Sequence, residues 1–383
     1  MSSVTNPAVT LRPWVILMAG VIGCQADGAP TETLVESPSE AAAAPPPFVV
    51  HRIVFTSEAL LGGAGQWGLY TIREDGTALT LLHQGGWLTN ASWSPAGPHR
   101  IAFVEHFGAS ESRPAVIKPD GTGLQYLAPA STALIDGLTW APDGTRLAYR
   151  QQGYQRLNVV NADGSALTTI ASDADASPPA WHPDGQLIAY FRRHDSPRTP
   201  ANDRGIWTVK HDGTGRTKIF DIPATEPYYE KVRLSYSPDG TKLAFCGEGG
   251  AGVSHEYRPL EMIDPDGSGH VILYRRYCVD PDWYLPEAMW SPDGSRILAR
   301  TPFNESSWDL VTLAPDGSAA TRLTTDGSTR IAAWSRQGTR IAHVKQVGGG
   351  GVLRVMSASG ANKKQLDAAV FTWPLYGGVM WGP

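Results

Sequence analysis

A ten-residue element recurs along this chain and narrows the possible fold more than any other feature. It reads WSPAGPHRIAF from Trp93 (one residue longer), WAPDGTRLAY from Trp140, WHPDGQLIAY from Trp181, YSPDGTKLAF from Tyr236, WSPDGSRILA from Trp290 and WSRQGTRIAH from Trp334. Between the copies lies a second element ending in glycine: GLYTIREDG to Gly76, AVIKPDG to Gly121, LNVVNADG to Gly164, GIWTVKHDG to Gly213, PLEMIDPDG to Gly267, WDLVTLAPDG to Gly317 and VLRVMSASG to Gly360. In Ser-Pro-Asp-Gly the proline presets φ at the second turn position, Asp suits the third, and Gly accepts the positive φ that closes a short hairpin. Strands must flank such a turn, and the Gly-terminated element makes a second hairpin, so each unit supplies four antiparallel strands, here called A to D. The intervals from Trp93 to Trp381 average 48 residues (288 residues over six intervals), near the ~40–45 residues of a propeller blade.

The two extremities complete one more unit. Trp381-Gly382-Pro383 reads as an A strand without its hairpin partner, and residues 48–55, FVVHRIVF, as a B strand without its A strand. Laid end to end, Pro383 followed by residues 48–53 matches Pro95 to Ile101 position for position. Sharing a blade in this way removes two sheet edges and closes a ring. The expected fold is therefore all-β: a closed seven-bladed β-propeller of four-stranded antiparallel blades over residues 48–383, its last blade shared by the N- and C-terminal strands. Length alone would suggest two or three domains, but the repeat overrides it. Charged residues are 18% of the chain while Gly (41), Pro (30) and Trp (13) are plentiful, which suits short strands and tight turns. The recurring Trp is expected to pack between neighbouring sheets, and the ring to be monomeric.

These elements resemble the TolB-type propeller repeat, also found in the N-terminal propellers of prolyl oligopeptidase-like enzymes. The resemblance covers residues 48–383. It implies the fold without implying an activity. The chain departs from TolB in having seven units rather than six and in lacking its N-terminal α/β domain, and from the peptidases in ending where a hydrolase domain would start.

The first 24 residues read as an export signal. Residues 14–23, WVILMAGVIG, form an apolar run of ten after Arg12, a length that fits a signal-peptide h-region and falls short of the ~20 residues a membrane span needs. The run ends in Val21-Ile22-Gly23-Cys24, which resembles a bacterial lipobox; that implies lipidation at Cys24, the alternative being an ordinary secretory signal with an incidental Cys. Residues 25–47, rich in Ala, Pro, Glu, Ser and Thr, are expected to form a disordered tether. The expected location is the bacterial envelope, lipid-anchored and facing the periplasm, with the outer membrane favoured. A net charge of −5 leaves no basic footprint for nucleic acid.

No motif for chemistry emerges. There is no Gly-x-Ser-x-Gly elbow and nothing like His-Glu-x-x-His; Asp264-Pro265-Asp266-Gly267 and Asp316-Gly317 resemble fragments of calcium loops but lack their alternating ligands, and read as turns. No catalytic residue, metal ligand or cofactor is assigned. Four of the ten His residues, His106, His194, His255 and His343, lie near or beyond B-strand ends, where some TolB-like carbohydrate lyases hold a metal; a solvated loop His is the plainer reading. Loop lengths say more. From B-strand end to C–D glycine the counts are 23 for Tyr190 to Gly213 and 22 for Phe245 to Gly267 against 15 to 21 elsewhere. From that glycine to the next anchor they are 23 for both Gly213 to Tyr236 and Gly267 to Trp290, against 17 to 21 elsewhere. The B–C and D–A loops share one face, so the extensions gather on two adjacent blades. They carry Arg192, His194, Arg204, Tyr228, Tyr229, His255, Tyr257, Arg258, Trp283 and Tyr284, residue types enriched at interface hot spots. If Cys24 is acylated, Cys246 and Cys278 remain as a candidate disulfide in an oxidising compartment, two free thiols being the alternative. The expectation is a scaffold that binds another envelope protein; the alternative is a propeller-type carbohydrate lyase or hydrolase with a metal site at the channel mouth.

Overall fold

The computed structural model describes residues 51–58, 66–108, 111–174, 178–192, 203–222, 231–248, 259–274, 288–304, 307–348, 350–372 and 379–382. The expected export signal, Cys24 and the tether lie outside them, and every described strand falls within the compact unit Val49–Pro383. Strands pair into seven four-stranded antiparallel sheets. Blade 1 joins Val379–Trp381 to Arg52–Glu58, Trp67–Arg73 and Thr80–Gly85. Blade 2 runs Trp87–Trp93, Ile101–Phe107, Glu111–Ile117, Gln125–Tyr126; blade 3 runs Ile135–Trp140, Arg146–Gln151, Arg156–Asn161, Thr168–Ala171. Blade 4 is Ala180–Trp181, Leu187–Arg192, Gly205–Lys210, Thr217–Asp221; blade 5 is Lys231–Tyr236, Leu243–Glu248, Leu260–Ile263, Val271–Tyr274. Blade 6 comprises Ala288–Trp290, Ile297–Asn304, Ser307–Leu313, Thr321–Arg322, and blade 7 Thr329–Trp334, Arg340–Val347, Gly350–Ser357, Lys364–Thr372.

The closure expected from the termini is present. Ile53 pairs with Trp381, Val54 with Met380 and Phe55 with Val379, and the Gly382 amide donates to the Arg52 carbonyl at 2.6 Å. The turns follow the chemistry of their sequences. The closing glycine has φ of 67° to 73° in the A–B turns and 80° to 90° in the C–D turns, a region open to Gly without steric cost. The preceding Asp caps the turn: Asp143 Oδ1 accepts the Thr145 amide at 2.9 Å and its hydroxyl at 2.8 Å. Asp266 and Asp316, read above as turn residues, likewise accept the amides of Ser268 and Ser318 at 2.8 Å.

Each blade is covered by neighbours on both faces, so its strands alternate between two apolar surroundings rather than between core and water. In blade 2, Ile101 and Phe103 pack with Val54, Leu69 and Leu88 on the side of blade 1, while Ala102 and Val104 pack with Leu138, Leu147 and Tyr149 of blade 3. One B-strand position carries Phe55, Phe103, Tyr149, Tyr190 and Phe245 in blades 1 to 5, all fully buried against the preceding blade. The repeated Trp does more than fill space. Trp140, Trp290, Trp334 and Trp381 donate Nε1–H to the carbonyls of Ser92, Ser235, Met289 and Ala333 at 3.1 to 3.3 Å. Each acceptor immediately precedes the anchor residue of the preceding blade, so the indole staples successive A strands together.

Candidate functional site

The extended loops of blades 4 and 5 occupy residues 193–202, 223–230, 249–258 and 275–287, which lie outside the described residues. With them lie His194, Tyr228, Tyr229, His255, Tyr257, Arg258, Cys278, Trp283 and Tyr284. The stems that carry these loops are described. Arg192 ends the blade 4 B strand with Nη1 3.1 Å from Asp173 Oδ2 and 3.0 Å from Asp203 Oδ2. Its guanidinium lies 5.6 Å from the Trp207 ring centroid, and Arg216, ion-paired with the same Asp173, lies 4.5 Å from that ring. The indole N–H of Trp207 donates to the Asp203 carbonyl at 3.1 Å, and the Arg204 carbonyl accepts the Ile222 amide. Arg192 and Arg204 are 6% and 7% exposed. Both belong to the expected binding face; the Arg192 side chain is held by Asp173 and Asp203 before the loop, and the Arg204 main chain pairs with Ile222 after it. In blade 5, Cys246 is buried and disulfide-bonded, its partner lying outside the described residues.

The His candidates part company. His106 faces blade 3 from blade 2, stacked on Trp87 with centroids 4.5 Å apart and hydrogen-bonded through Nε2 to the Thr89 hydroxyl at 2.9 Å. His343 lies in blade 7 on the face of Ile341, which packs with Leu298, Leu310 and Leu323 of blade 6; both its ring nitrogens are buried without a partner. Burial lowers both rings to about 4. The structure does not bring these two together, and among the described residues no group of three or more His, Cys, Asp or Glu could hold a metal.

Buried carboxylates at the blade junctions escaped the sequence reading. Glu105 accepts from His83 Nε2 at 3.1 Å, the Tyr126 hydroxyl at 2.7 Å and the Gly86 amide at 3.1 Å. Burial pushes the Glu105 carboxyl up, but these hydrogen bonds and the His83 charge outweigh it and hold it below the usual range. Burial and the same hydrogen bond push Tyr126 up to about 12. Asp309, fully buried, is ion-paired with Arg322 and accepts the Thr324 hydroxyl at 2.8 Å and the Gly327 amide at 3.0 Å. Glu261 lies 2.5 Å from His270 Nε2. The available signal was a single charge inside an apolar run, as in IAFVEHF and SWDLVTL.

At the A–B face, the inner rim between blades 3, 4 and 5 holds a cavity of about 430 Å³. Pro95, Pro142, Pro183 and Pro238, each the second residue of its A–B turn, line it together with Trp140, Trp181 and Tyr236. Blade 7 carries Arg336 where blades 2 to 6 carry proline, and its guanidinium reaches over blade 1 to the Pro95 carbonyl.

No protein-family model matches the chain, and no curated protein matches it in sequence. Among solved structures it is similar to TolB from Acinetobacter baumannii at 15% identity and TM-score 0.50, covering 86% of this chain and 83% of that one. It is similar to an oligogalacturonate lyase in complex with manganese at 14% identity and TM-score 0.57, covering 82% and 84%. A puromycin hydrolase gives 18% identity and TM-score 0.59 over 84% of this chain and 53% of that one, so the chain spans about half of that protein's length. At such identities the likeness is one of fold, and the fold is a TolB-like β-propeller.

Proposed function

We propose that this TolB-like propeller is a binding scaffold of the bacterial envelope, anchored through lipid on Cys24, facing the periplasm, and engaging another envelope protein through the long loops of blades 4 and 5. The observation that supports this reading is the construction of the loop stems. Arg192 is clamped by Asp173 and Asp203, Trp207 is stacked under Arg216, and Cys246 is tied by a disulfide. Variable loops on fixed stems are a usual form of binding surface. Spending buried ion pairs on a loop's ends fixes where its aromatic residues are presented.

Two measurements test the reading. Photo-crosslinking in intact envelopes should trap a discrete partner with the native chain, and the Tyr257→Ala, Trp283→Ala double variant should lose it, because hot-spot aromatics each contribute ~2 kcal/mol or more to an interface. An unchanged set of crosslinked partners would rule out this surface. Cys24→Ser should abolish labelling by a palmitate analogue and move the chain from the membrane pellet to the soluble fraction; a variant that still pellets would refute the lipid anchor.

A further inference from the structure

The overall charge of −5 conceals a local reversal on the face where the A–B and C–D turns lie. Six C–D turns carry an Asp before the closing glycine, as Asp75, Asp120, Asp163, Asp212, Asp266 and Asp316; blade 7 has Ser359 there, and Gln337 in its A–B turn. Its two turn segments, Ser335–Arg340 and Ser357–Lys364, hold Arg336, Arg340, Lys363 and Lys364 and no carboxylate, whereas the matching segments of every other blade contain at least one Asp. All four cations are exposed. The fold does not demand this change. Both turns close as the others do, the Gly338 amide donating to the Ser335 carbonyl at 2.8 Å and the Gly360 amide to the Ser357 carbonyl at 2.9 Å. The Ser357 hydroxyl, donating to the Ala361 carbonyl at 3.0 Å, braces the second turn without a charge.

Little of this charge is cancelled nearby. Among the described residues only Arg340 of the four is ion-paired, with Glu74 of blade 1 at 3.2 Å. Lys364 donates to the Asp75 main-chain carbonyl at 2.7 Å and Arg336 to the Pro95 carbonyl, both neutral acceptors. The chain enters the ring at the same place: the His51 carbonyl accepts the Glu74 amide at 3.2 Å, beside the carboxylate that holds Arg340. Blade 5, farther round the ring, carries Asp239, Asp264 and Asp266 against Lys242 in its own turn segments. The basic sector is thus confined to the side where the chain arrives. If the chain is anchored through Cys24, the anionic surface nearest that side is the leaflet that holds the anchor.

We infer that the turn sector of blade 7 docks on anionic phospholipid headgroups of the membrane that carries the chain, with Arg336, Lys363 and Lys364 engaging their phosphates. The choice of a membrane as partner rests on the anchored reading given above and deepens it: docked in this way, the ring turns its long loops away from the lipid. Each Lys or Arg near an anionic leaflet favours the docked state by roughly fivefold. Three together give roughly a hundredfold, and salt removes most of it.

The test reads, by mass spectrometry, the rate at which a water-soluble acetylating reagent modifies each lysine of the full chain mixed with vesicles of phosphatidylglycerol or of phosphatidylcholine. On phosphatidylglycerol at low ionic strength, Lys363 and Lys364 react at least about fivefold more slowly than on phosphatidylcholine, while Lys210 and Lys242 of blades 4 and 5 change by less than about twofold. The contrast disappears in about 1 M NaCl, where the screening length is ~3 Å. Arg336→Gln combined with Lys363→Gln, both at exposed positions, returns Lys364 to its phosphatidylcholine rate. The Cys24→Ser chain shows the same contrast at higher lipid concentration, so a failed anchor and a failed surface give different results. Equal rates on the two lipids, equal shielding of Lys210 and Lys242, or a contrast that survives the double change overturns the inference. Shielding of Lys363 and Lys364 in intact envelopes but not on phosphatidylglycerol overturns it as well, and assigns the sector to an acidic protein.

Discussion

A chain lacking residues 379–383 is expected to lose its cooperative thermal transition. Those residues supply the inner strand of blade 1, and with them go the pairs of Ile53, Val54 and Phe55. The Trp381 indole is buried, donates to the Ala333 carbonyl at 3.1 Å and packs with Val344, Leu353 and Leu366. Gly382 comes so close to Trp93 that a Cβ would fall 2.7 Å from its ring. The deletion therefore uncovers blade 7 on one side and blade 2 on the other, and exposes an unpaired inner edge. Removing one large buried aromatic costs ~3–5 kcal/mol, and the lost ladder and strand burial add to it, against the ~5–15 kcal/mol that holds a whole domain. The milder Trp381→Ala should remain folded and melt lower by on the order of 10 °C. Scanning calorimetry of both variants provides the measurement; a truncated chain that melts like the native one would show that closure contributes nothing.

Acid should weaken the ring well before its carboxylates protonate. His106 and His343 are lowered from 6.5 to about 4, by burial first in both; for His343 the charge of Arg354 adds to the effect while Asp326 opposes it. In the unfolded chain each ring takes up a proton near pH 6.5, whereas in the folded one it resists until about pH 4. The unfolded state thus binds more protons across that window, and stability falls as the pH drops from 6.5 to 4. Each ring accounts for about 3 kcal/mol by pH 4, from 2.5 units at ~1.36 kcal/mol each. The turn carboxylates act in the range below, since hydrogen bonds from Thr77, for example, hold Asp75 under its ordinary value. His343 occupies the B-strand position filled by Phe or Tyr in blades 1 to 5, so His343→Phe is a substitution the fold already uses. Urea midpoints at pH 7 and pH 4.5 should converge in that variant by about half of the native difference, with no loss at pH 7. An unaltered acid shift would exclude His343 as its source.

What the sequence disclosed was whatever is local or periodic. Turn chemistry sits within four or five residues, so Asp143-Gly144 and its counterparts announce their hairpins, and the period of the anchors then requires a ring. The shared blade was legible because Pro383 and residues 48–53 together reproduce one complete copy of the repeat. Part of the junction chemistry was hidden because its partners come from different units: Asp173 of blade 3 meets Arg192 of blade 4, and His83 of blade 1 meets Glu105 of blade 2. Beside a long loop, Arg192 reads as a contact residue; sequence gives its proximity to that loop but not its buried pairing with Asp173 and Asp203.

The position of Arg52–Glu58 inside its sheet has a mechanical consequence. This strand, the first of the ring, is flanked by Val379–Trp381 on one side and Trp67–Arg73 on the other, antiparallel to both. A pull along its axis applied at residue 51 strains both rows of backbone hydrogen bonds together, in shear, instead of peeling them open one after another. A load on this strand meets more resistance than the same load on a strand at a free sheet edge.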